Sequence, residues 1–326
     1  MPASVLSGAL LAAGLQKDFA NTLRKTFTGE RDKLGWLTQL DLPIKTRTTT
    51  FGYYESPPHP QRVDSNTPFI MDNFKSRSYQ VTTKKYKVGV GWKEEDREDE
   101  QLGKLVEQAK GAGMNFGLLH TRISMQILLG TVDPLLLDAI PDTPDGAALF
   151  STTDGDGNDR FGITSGNLLT GTGMGSSAAV RKDFFNAVEQ FKSFLDTKGQ
   201  PLHAASLLED YAFIYPVQHE QVVAEAFLQA RTLDGGAALT NIVMESGNKV
   251  KFWSSPYLSG NSWFIVALQI PLKPITQGTR RALREIVVTM ENSDKARETG
   301  QESVLYDARY TYHTNLPLQI IKNSNA

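Results

Sequence analysis

The sequence contains no cysteine, and this absence removes several kinds of chemistry. Without cysteine among its 326 residues, the chain cannot form disulfides, thiolate metal sites or a cysteine nucleophile. Such a chain folds readily in a reducing cytoplasm. We expect neither a bound metal nor a cofactor, because the few histidines show no metal-ligand spacing: His59, His120, His203, His219 and His313.

An excess of charge of either sign is also missing. Lys and Arg total 34 against 36 Asp and Glu, which gives a formal net charge of -2. A protein that reads DNA sequence usually carries a basic excess, so sequence-specific DNA binding is disfavoured. No apolar run approaches the roughly 20 residues that a membrane-spanning helix needs, and we therefore expect no membrane partner.

Two stretches have the apolar period of an amphipathic helix. The first covers about residues 10–27 and the second residues 102–129. At 1.5 Å per residue the second helix would be roughly 40 Å long, which indicates an elongated body. The apolar positions recur every three or four residues: Leu11, Leu15, Phe19, Leu23 and Phe27 in the first stretch, and Leu102, Leu105, Ala109, Ala112, Phe116, Leu119, Ile123 and Ile127 in the second.

Residues 44–92 have the pattern of two strands around a proline-rich connection. Residues 46–54 are β-branched and aromatic, which favours a strand, and residues 78–92 alternate in the same way. Between them, residues 56–60 read Ser-Pro-Pro-His-Pro and can be neither helix nor central strand. We predict an extended hairpin. Because isolated hairpins are marginal in water, it either lies on a neighbouring surface or joins the chain's own sheet.

The rest of the chain predicts a loop-rich stretch, a compact α/β region and a set of C-terminal strands. Proline and glycine are frequent over residues 134–175. Helix signals then cover residues 177–197 and 218–230 around a short apolar strand at 212–216. Further strands are predicted at 250–254, 263–270, 284–290, 304–312 and 318–321.

Three short motifs suggest chemistry, and each lacks a required part. Residues 171–175, Gly-Thr-Gly-Met-Gly, have neither the preceding strand nor the Gly-Lys-Ser/Thr ending of a phosphate-binding loop, so a linker is the better interpretation. Residues 154–159 begin like a calcium loop, but Asp159 and Ser165 stand where glycine and glutamate are needed. A polar turn is expected there. His219-Glu220 lacks the second histidine of a zinc helix, because Val223 occupies that position. We predict no catalytic residues and no enzyme.

A series of short motifs follows one order along nearly the whole chain: Thr50-Phe51-Gly52-Tyr53, Tyr86-Lys87-Val88-Gly89-Val90, the acidic helix start at residues 94–103, Leu149-Phe150-Ser151, Asp307-Ala308-Arg309-Tyr310 and Leu318-Gln319-Ile320. This order resembles the major head subunit family of Mu-like phages, within the capsid fold that tailed double-stranded-DNA bacteriophages share with herpesviruses. Asn315-Leu316 departs from the family, which has a glycine-rich dipeptide there.

The resemblance implies an α+β capsid fold made of four parts. Residues 1–43 would be an N-terminal arm and residues 44–92 the extended hairpin loop that lies on a neighbouring subunit. Residues 93–174, completed by 272–326, would form a peripheral domain around a long spine helix. Residues 175–271 would form an α/β axial domain that points to the centre of each hexamer or pentamer.

The resemblance also implies the function and the partners. The chain would be a major capsid protein that assembles with itself into hexamers and pentamers, forming an icosahedral head around phage double-stranded DNA. Further partners would be a scaffold, expected to be a separate protein, a portal, decoration proteins and the packaged DNA, bound without sequence preference. The protein would be made and assembled in the host bacterial cytoplasm and reside in the virion.

Charge placement suggests where subunits meet. Residues 41–92 carry eight Lys/Arg and four Asp/Glu, whereas residues 93–100 carry six acids and two bases. A basic hairpin on the acidic helix start of the next subunit would set their register. The alternative is that both patches are only solvated. The candidate contact residues are Lys84, Lys85, Lys87, Glu94, Glu95 and Glu98.

Two other classes of protein remain open. One is a different virion protein, such as a tail-tube or decoration subunit, although these usually lack a spine helix. The other is a phosphate- or nucleotide-binding enzyme that uses the loop at residues 171–175.

Overall fold

The computed structural model describes residues 8–54, 76–93, 95, 102–196, 198–203, 208–227 and 249–324. These residues form helices and mixed sheets, which confirms the α+β class. The helices are α1 (Gly8–Leu34), α2 (Leu102–Gly117), α3 (Leu119–Leu129), α4 (Ser177–Ser193), α5 (Glu220–Phe227) and α6 (Asp294–Thr299). The strands are β1 (Thr38–Pro43), β2 (Thr48–Tyr54), β3 (Ser76–Thr82), β4 (Lys84–Lys93), β5 (Leu168–Thr170), β6 (Asp210–Pro216), β7 (Lys249–Ser255), β8 (Trp263–Ala267), β9 (Ile275–Val288), β10 (Gln301–Thr314) and β11 (Ile320–Ser324).

The described strands form two larger sheets and a separate two-stranded one. The first has the order β1-β9-β10-β4, in which β10 runs antiparallel to both neighbours and β1 pairs with β9 in parallel. The second has the order β5-β11-β8-β6-β7. Its strands β5 and β11 lie outside residues 175–271, so the second sheet draws on more of the chain than the stretch expected for an axial domain.

One face of the four-stranded sheet is buried beneath α1 and α2. The ring of Phe19 on α1 stacks on Tyr306 of β10 with centroids 3.5 Å apart. Tyr86, Val90 and Trp92 alternate along β4 and all point into this core. The predicted apolar stripe of the second helix is therefore core from Leu105 to Ile127, apart from the half-buried Ala112, and Phe116 is only 7% exposed.

The two helices approach closely because glycines stand at their crossing. A methyl group built on Gly113 would lie 2.6 Å from the carbonyl oxygen of Phe19. A methyl group built on Gly117 would lie 2.9 Å from the side chain of Thr26, which is on α1 like Phe19. The predicted single helix over 102–129 is divided immediately after Gly117, at Leu118 (φ -85°, ψ -4°), although backbone hydrogen bonds continue across the division. The stretch predicted as one spine helix therefore consists of two helices in succession, α2 and α3.

The extended hairpin exists, but it is shorter than predicted. Strands β2 and β3 pair antiparallel from Thr48 opposite Thr82 to Tyr54 opposite Ser76. The proline-rich connection, residues 56–60, lies outside the described residues. The prediction that residues 84–92 continue the returning strand was wrong, since β4 pairs with β10 along its whole length. Burial of its alternate side chains against α2 explains this pairing.

The middle of the β2–β3 ladder packs on the end of β10 through His313. The ring of Phe51 on β2 stacks on the imidazole with centroids 4.5 Å apart, and Tyr79 on β3 lies 5.6 Å away. Thr311 donates a hydrogen bond to the carbonyl of Thr82 at 3.3 Å. His313 is buried, and its Nδ1 has no hydrogen-bond partner among the described residues. The contact is therefore built for an uncharged ring.

The loop-rich stretch after α3 is organised around the buried side chain of Arg160. Its guanidinium donates to both carboxylate oxygens of Asp145 at 2.9 and 3.0 Å. It also donates to Asn167 and to the backbone carbonyls of Ala148 and Leu149. A buried charge is costly unless it is paired and fully hydrogen-bonded, so this network holds the loops in one arrangement beside the second sheet.

We predict that Gly113→Ala destabilises the protein by about 1–3 kcal/mol, because the added methyl group forces α1 away from α2. Gly111→Ala is the matched control on the same helix, since a methyl group there meets nothing within 4 Å. Alanine has the better helix propensity, so the control should gain up to about 1 kcal/mol. Urea unfolding of both variants measures the difference; equal stabilisation would show that the helices are not in contact at Gly113.

We also predict a loss of stability in acid. Burial lowers the pKa of His313 and, offset in part by Asp41, that of His120, each to about 4 from 6.5. The unfolded chain then binds more protons than the folded chain between these values. Stability should therefore be complete above pH 6.5 and fall as the pH approaches 4, by up to about 3 kcal/mol per histidine. Thermal melting as a function of pH measures this loss.

His313→Phe provides the control for the acid effect. Phenylalanine preserves the ring stack on Phe51 and cannot be protonated, so the variant should lose less stability than the parent between pH 6.5 and 4. Identical slopes in the two proteins would exclude His313 as a source of acid sensitivity.

Candidate interaction surface

The face of the four-stranded sheet that points away from α1 and α2 is strongly basic. Paired residues of adjacent strands share one face of a sheet, and Arg309 pairs with both Lys85 and Arg281. We define the basic face by five bases around one carboxylate: Lys85, Lys87, Arg281, Arg284, Arg309 and Asp307. These six residues carry a net excess of four positive charges.

Asp307 holds the basic side chains in place. Its carboxylate is 2% exposed and accepts a hydrogen bond from Arg284 Nε at 2.7 Å. Lys85 Nζ lies 3.0 Å away and Arg281 3.8 Å away. The hydrogen bonds from Arg284 and then Lys85 hold the pKa of Asp307 below its usual value. One carboxylate thus orders three cations but neutralises only one.

The structure separates the three lysines that were predicted to act together. Lys85 and Lys87 lie on the basic face, as the two-residue period of a strand predicts. Lys84 points to the other side of β4, where it forms an ion pair with Asp138. Lys87 is exposed and makes no ion pair among the described residues. Reversing the charge of Lys85 would place two carboxylates together, so this lysine also supports the fold.

Only one of the three predicted acidic partners lies among the described residues. Glu95 is exposed, whereas Glu94 and Glu98 lie outside the described residues. Within one chain the structure does not bring Glu95 and the lysines of the basic face into an ion pair. Sequence reasoning missed Arg281, Arg284 and Arg309, since only the pairing of β9 with β10 brings them beside β4. The three arginines within residues 280–284 were the sequence feature that could have indicated this basic face.

The glycine loop at residues 171–175 is occupied by a carboxylate of the chain itself. Asp183 on α4 is buried. It accepts hydrogen bonds from the backbone N–H and the hydroxyl of Thr172, both at 2.7 Å, and from the N–H of Gly173 at 3.4 Å. A phosphate would have to displace this carboxylate. The prediction that no strand precedes the loop was wrong, since β5 ends at Thr170 and α4 begins at Ser177. The loop still lacks the Gly-Lys-Ser/Thr ending, and Asp183 occupies its N–H groups, so it connects β5 to α4 without an open phosphate site.

The calcium-like segment is a polar turn, as predicted. Asp154 accepts hydrogen bonds from the backbone N–H groups of Asp156 and Asn158, and Thr153 bridges to Asp159 in antiparallel fashion. No group of three or more potential metal ligands occurs within the part of the chain that the structure describes. Among the described helices, none combines the length and apolar character needed to cross a membrane.

Comparisons with known proteins give a match at the level of structure alone. No protein-family model matches the chain, and no curated protein matches it in sequence. The capsid of the cyanophage P-SCSP1u has 10% identity and a TM-score of 0.54, over 89% of this chain and 86% of that one. The capsid of an empty GTA particle has 8% identity and a TM-score of 0.55, over 90% and 89%. A virus-like particle from Pyrococcus furiosus has 10% identity and a TM-score of 0.50, over 93% and 96%.

These matches include most of this chain and most of each compared chain. Their identities are too low to establish a subfamily, and the Mu-like relationship stays a prediction. The shared architecture is independent of that relationship. The chain has the phage major capsid fold, a fold of the α+β class.

Proposed function

We propose that this protein is the major capsid protein of a tailed double-stranded-DNA bacteriophage, of the Mu-like group. Copies of the chain would form hexamers and pentamers that close into an icosahedral shell around the genome. The observation that carries the proposal is the capsid fold over about nine-tenths of the chain. The protein would be structural, with no catalytic role.

The hairpin supports a role that needs neighbours. Among the described strands, β2 and β3 pair only with each other, and a two-stranded sheet is marginal in water. One side of it packs on His313 of β10, and a neighbouring subunit would cover the rest. In this arrangement residues 1–43 are the arm, 44–92 the hairpin region, 93–174 with 272–326 the peripheral domain, and 175–271 the axial domain. Because β4 belongs to the four-stranded sheet, only β2 and β3 would project.

The partners follow from this role. The chief partner is a second copy of the chain, and a scaffold, a portal, decoration proteins and packaged DNA would be the others. The protein would be assembled in the bacterial cytoplasm and reside in the virion. Neither alternative class gains support. The glycine loop that an enzyme would use is occupied by Asp183, and the capsid fold argues against a tail-tube or decoration subunit.

The basic face would meet the acidic run of the next subunit. Lys85 and Lys87, joined by three arginines, would face Glu94, Glu95 and Glu98 of the neighbour. Electrostatic complementarity of this kind sets register and speeds association more than it adds affinity. Lys84 takes a smaller part, because Asp138 already pairs with it.

We expect the purified protein to assemble. Native mass spectrometry should detect hexamers or pentamers, and negative-stain microscopy of the protein with its scaffold should reveal closed shells. Tubes would support the tail-tube alternative. A protein that stays monomeric, and is stabilised by nucleotides in thermal melting, would support the enzyme alternative and contradict the proposal.

We also expect Lys87→Glu to impair assembly while leaving the monomer folded, since exposed charges rarely change stability by more than about 0.5 kcal/mol. Screening at 1 M salt, where the Debye length is about 3 Å, should partly restore assembly. Lys251→Glu, at an exposed position of β7, is the matched control and should assemble normally. Sedimentation of both variants at low and high salt measures the effect; unimpaired Lys87→Glu shells at low salt would exclude charge registry at this face.

A further inference from the structure

The turn after α3 presents the most exposed of the large apolar side chains that the structure describes. Leu135 is 88% exposed. The turn beneath it is well ordered by Asp133, whose carboxylate accepts the N–H of Leu135 at 3.0 Å. The carbonyl of Asp133 accepts the N–H groups of Leu136 and Leu137, both at 2.9 Å. The exposed position of Leu135 is therefore imposed by the backbone.

The turn is also fastened to the body of the protein. Tyr86 donates a hydrogen bond from its hydroxyl to the carbonyl of Leu136 at 3.0 Å. Leu136 and Leu137 pack on the core, and Asp138 forms the ion pair with Lys84. An apolar group held in this way loses little conformational freedom when it is buried by a partner. We call residues 133–138 the leucine turn.

A groove between α1 and β9 is suited to receive an apolar side chain. It has a volume of about 270 Å³, and a cavity of about 150 Å³ already holds benzene. Arg24 stands on its α1 side, and Arg284 and Glu285 on its β9 side. The apolar lining is supplied by Phe19, Ala20, Leu23, Phe27, Leu283 and Tyr306.

The charges around the two features are complementary. Asp133 lies beside Leu135 on the leucine turn and makes no ion pair among the described residues, whereas Asp138 is already paired with Lys84. Arg24 on the groove is exposed and makes no ion pair within the described part of the chain. Arg284 contributes no free charge here, because its guanidinium is paired with Asp307 on the other face of the sheet. Asp133, beside the apolar tip of the turn, can therefore pair with Arg24 when Leu135 enters the apolar lining of the groove.

A second hollow fits the leucine turn less well. It has a volume of about 600 Å³ and lies at the opposite end of β4, beside α6. Its lining includes Lys93, Lys295, Gln301 and Glu302, and the last already accepts hydrogen bonds from Trp92 and the backbone of Met290. The lining is mixed, since Trp92, Val288 and Leu305 are apolar, and Lys93 and Lys295 would not repel an acidic turn. An isobutyl group would nevertheless meet a less uniformly apolar surface there than in the groove.

We propose that the leucine turn of one subunit docks in the groove between α1 and β9 of a second copy. One chain cannot fill its own groove, because Tyr86 and Lys84 hold the turn beside β4 while the groove lies beside β9, on the other side of β10. Such a contact joins two different surfaces and generates rings when the rotation closes. The proposal rests on the proposed self-assembly for the presence of the second copy.

The absence of cysteine allows a direct test. Leu135→Cys and Ala20→Cys are made in separate chains, mixed under assembly conditions and oxidised. We expect a disulfide-linked dimer from the mixture and none from either variant alone. Lys25→Cys, on an exposed part of α1 outside the groove lining, replaces Ala20→Cys as the matched control and should not form a link.

A second measurement tests the energetic role. Leu135→Gln should leave the melting temperature unchanged and raise the protein concentration needed for assembly about tenfold or more, since it removes a buried leucine from every contact. Met114→Gln, at an exposed apolar position of α2, should leave that concentration unchanged. Shells that form without the cross-link and without loss in Leu135→Gln would overturn this docking and leave the proposed function intact. If the unmodified protein forms no oligomers and the mixed cysteine variants form no cross-link, both proposals fail.

Discussion

The close contact of α1 with α2 at Gly113 and Gly117 is the constraint on which the rest of the body depends. Because the two helices touch backbone to backbone, they form one compact layer on the four-stranded sheet. Phe19 of this layer can then stack on Tyr306 of the sheet. A side chain at either glycine would separate the helices and lift this ring from the sheet. Helices α1 and α2 are therefore one structural unit, although more than 60 residues separate them in sequence.

Local patterns were sufficient to predict several elements. The spacing of Leu15, Phe19 and Phe116 indicated buried helix faces, because the helical period records burial directly. The β-branched run before Gly52 indicated a hairpin strand. In contrast, the alternation of residues 84–92 is the same whether β4 pairs with β3 or with β10. Only the tertiary partner, more than 200 residues away, decides between them.

The surfaces could be predicted only in part for the same reason. Lys85 and Lys87 were recognisable as one face of a strand. The arginines beside them depend on the register of β9 with β10, which contains two irregularities near Asp307 and Arg309. The leucine turn carried no signal at all, because a run of three leucines is more often core than surface. Its exposure follows from the hydrogen bonds of Asp133, which no periodicity reports.

The place of β11 has a consequence for how the protein folds. This strand lies between β5 and β8 in the second sheet, yet it follows β9 and β10 of the first sheet along the chain. The second sheet is therefore complete only when β11, the segment that follows the strands of the first sheet, has joined it. Long-range pairings of this kind slow folding, and they also couple the two sheets. Unfolding of either sheet should then release the other, so the subunit would resist deformation as a single cooperative body.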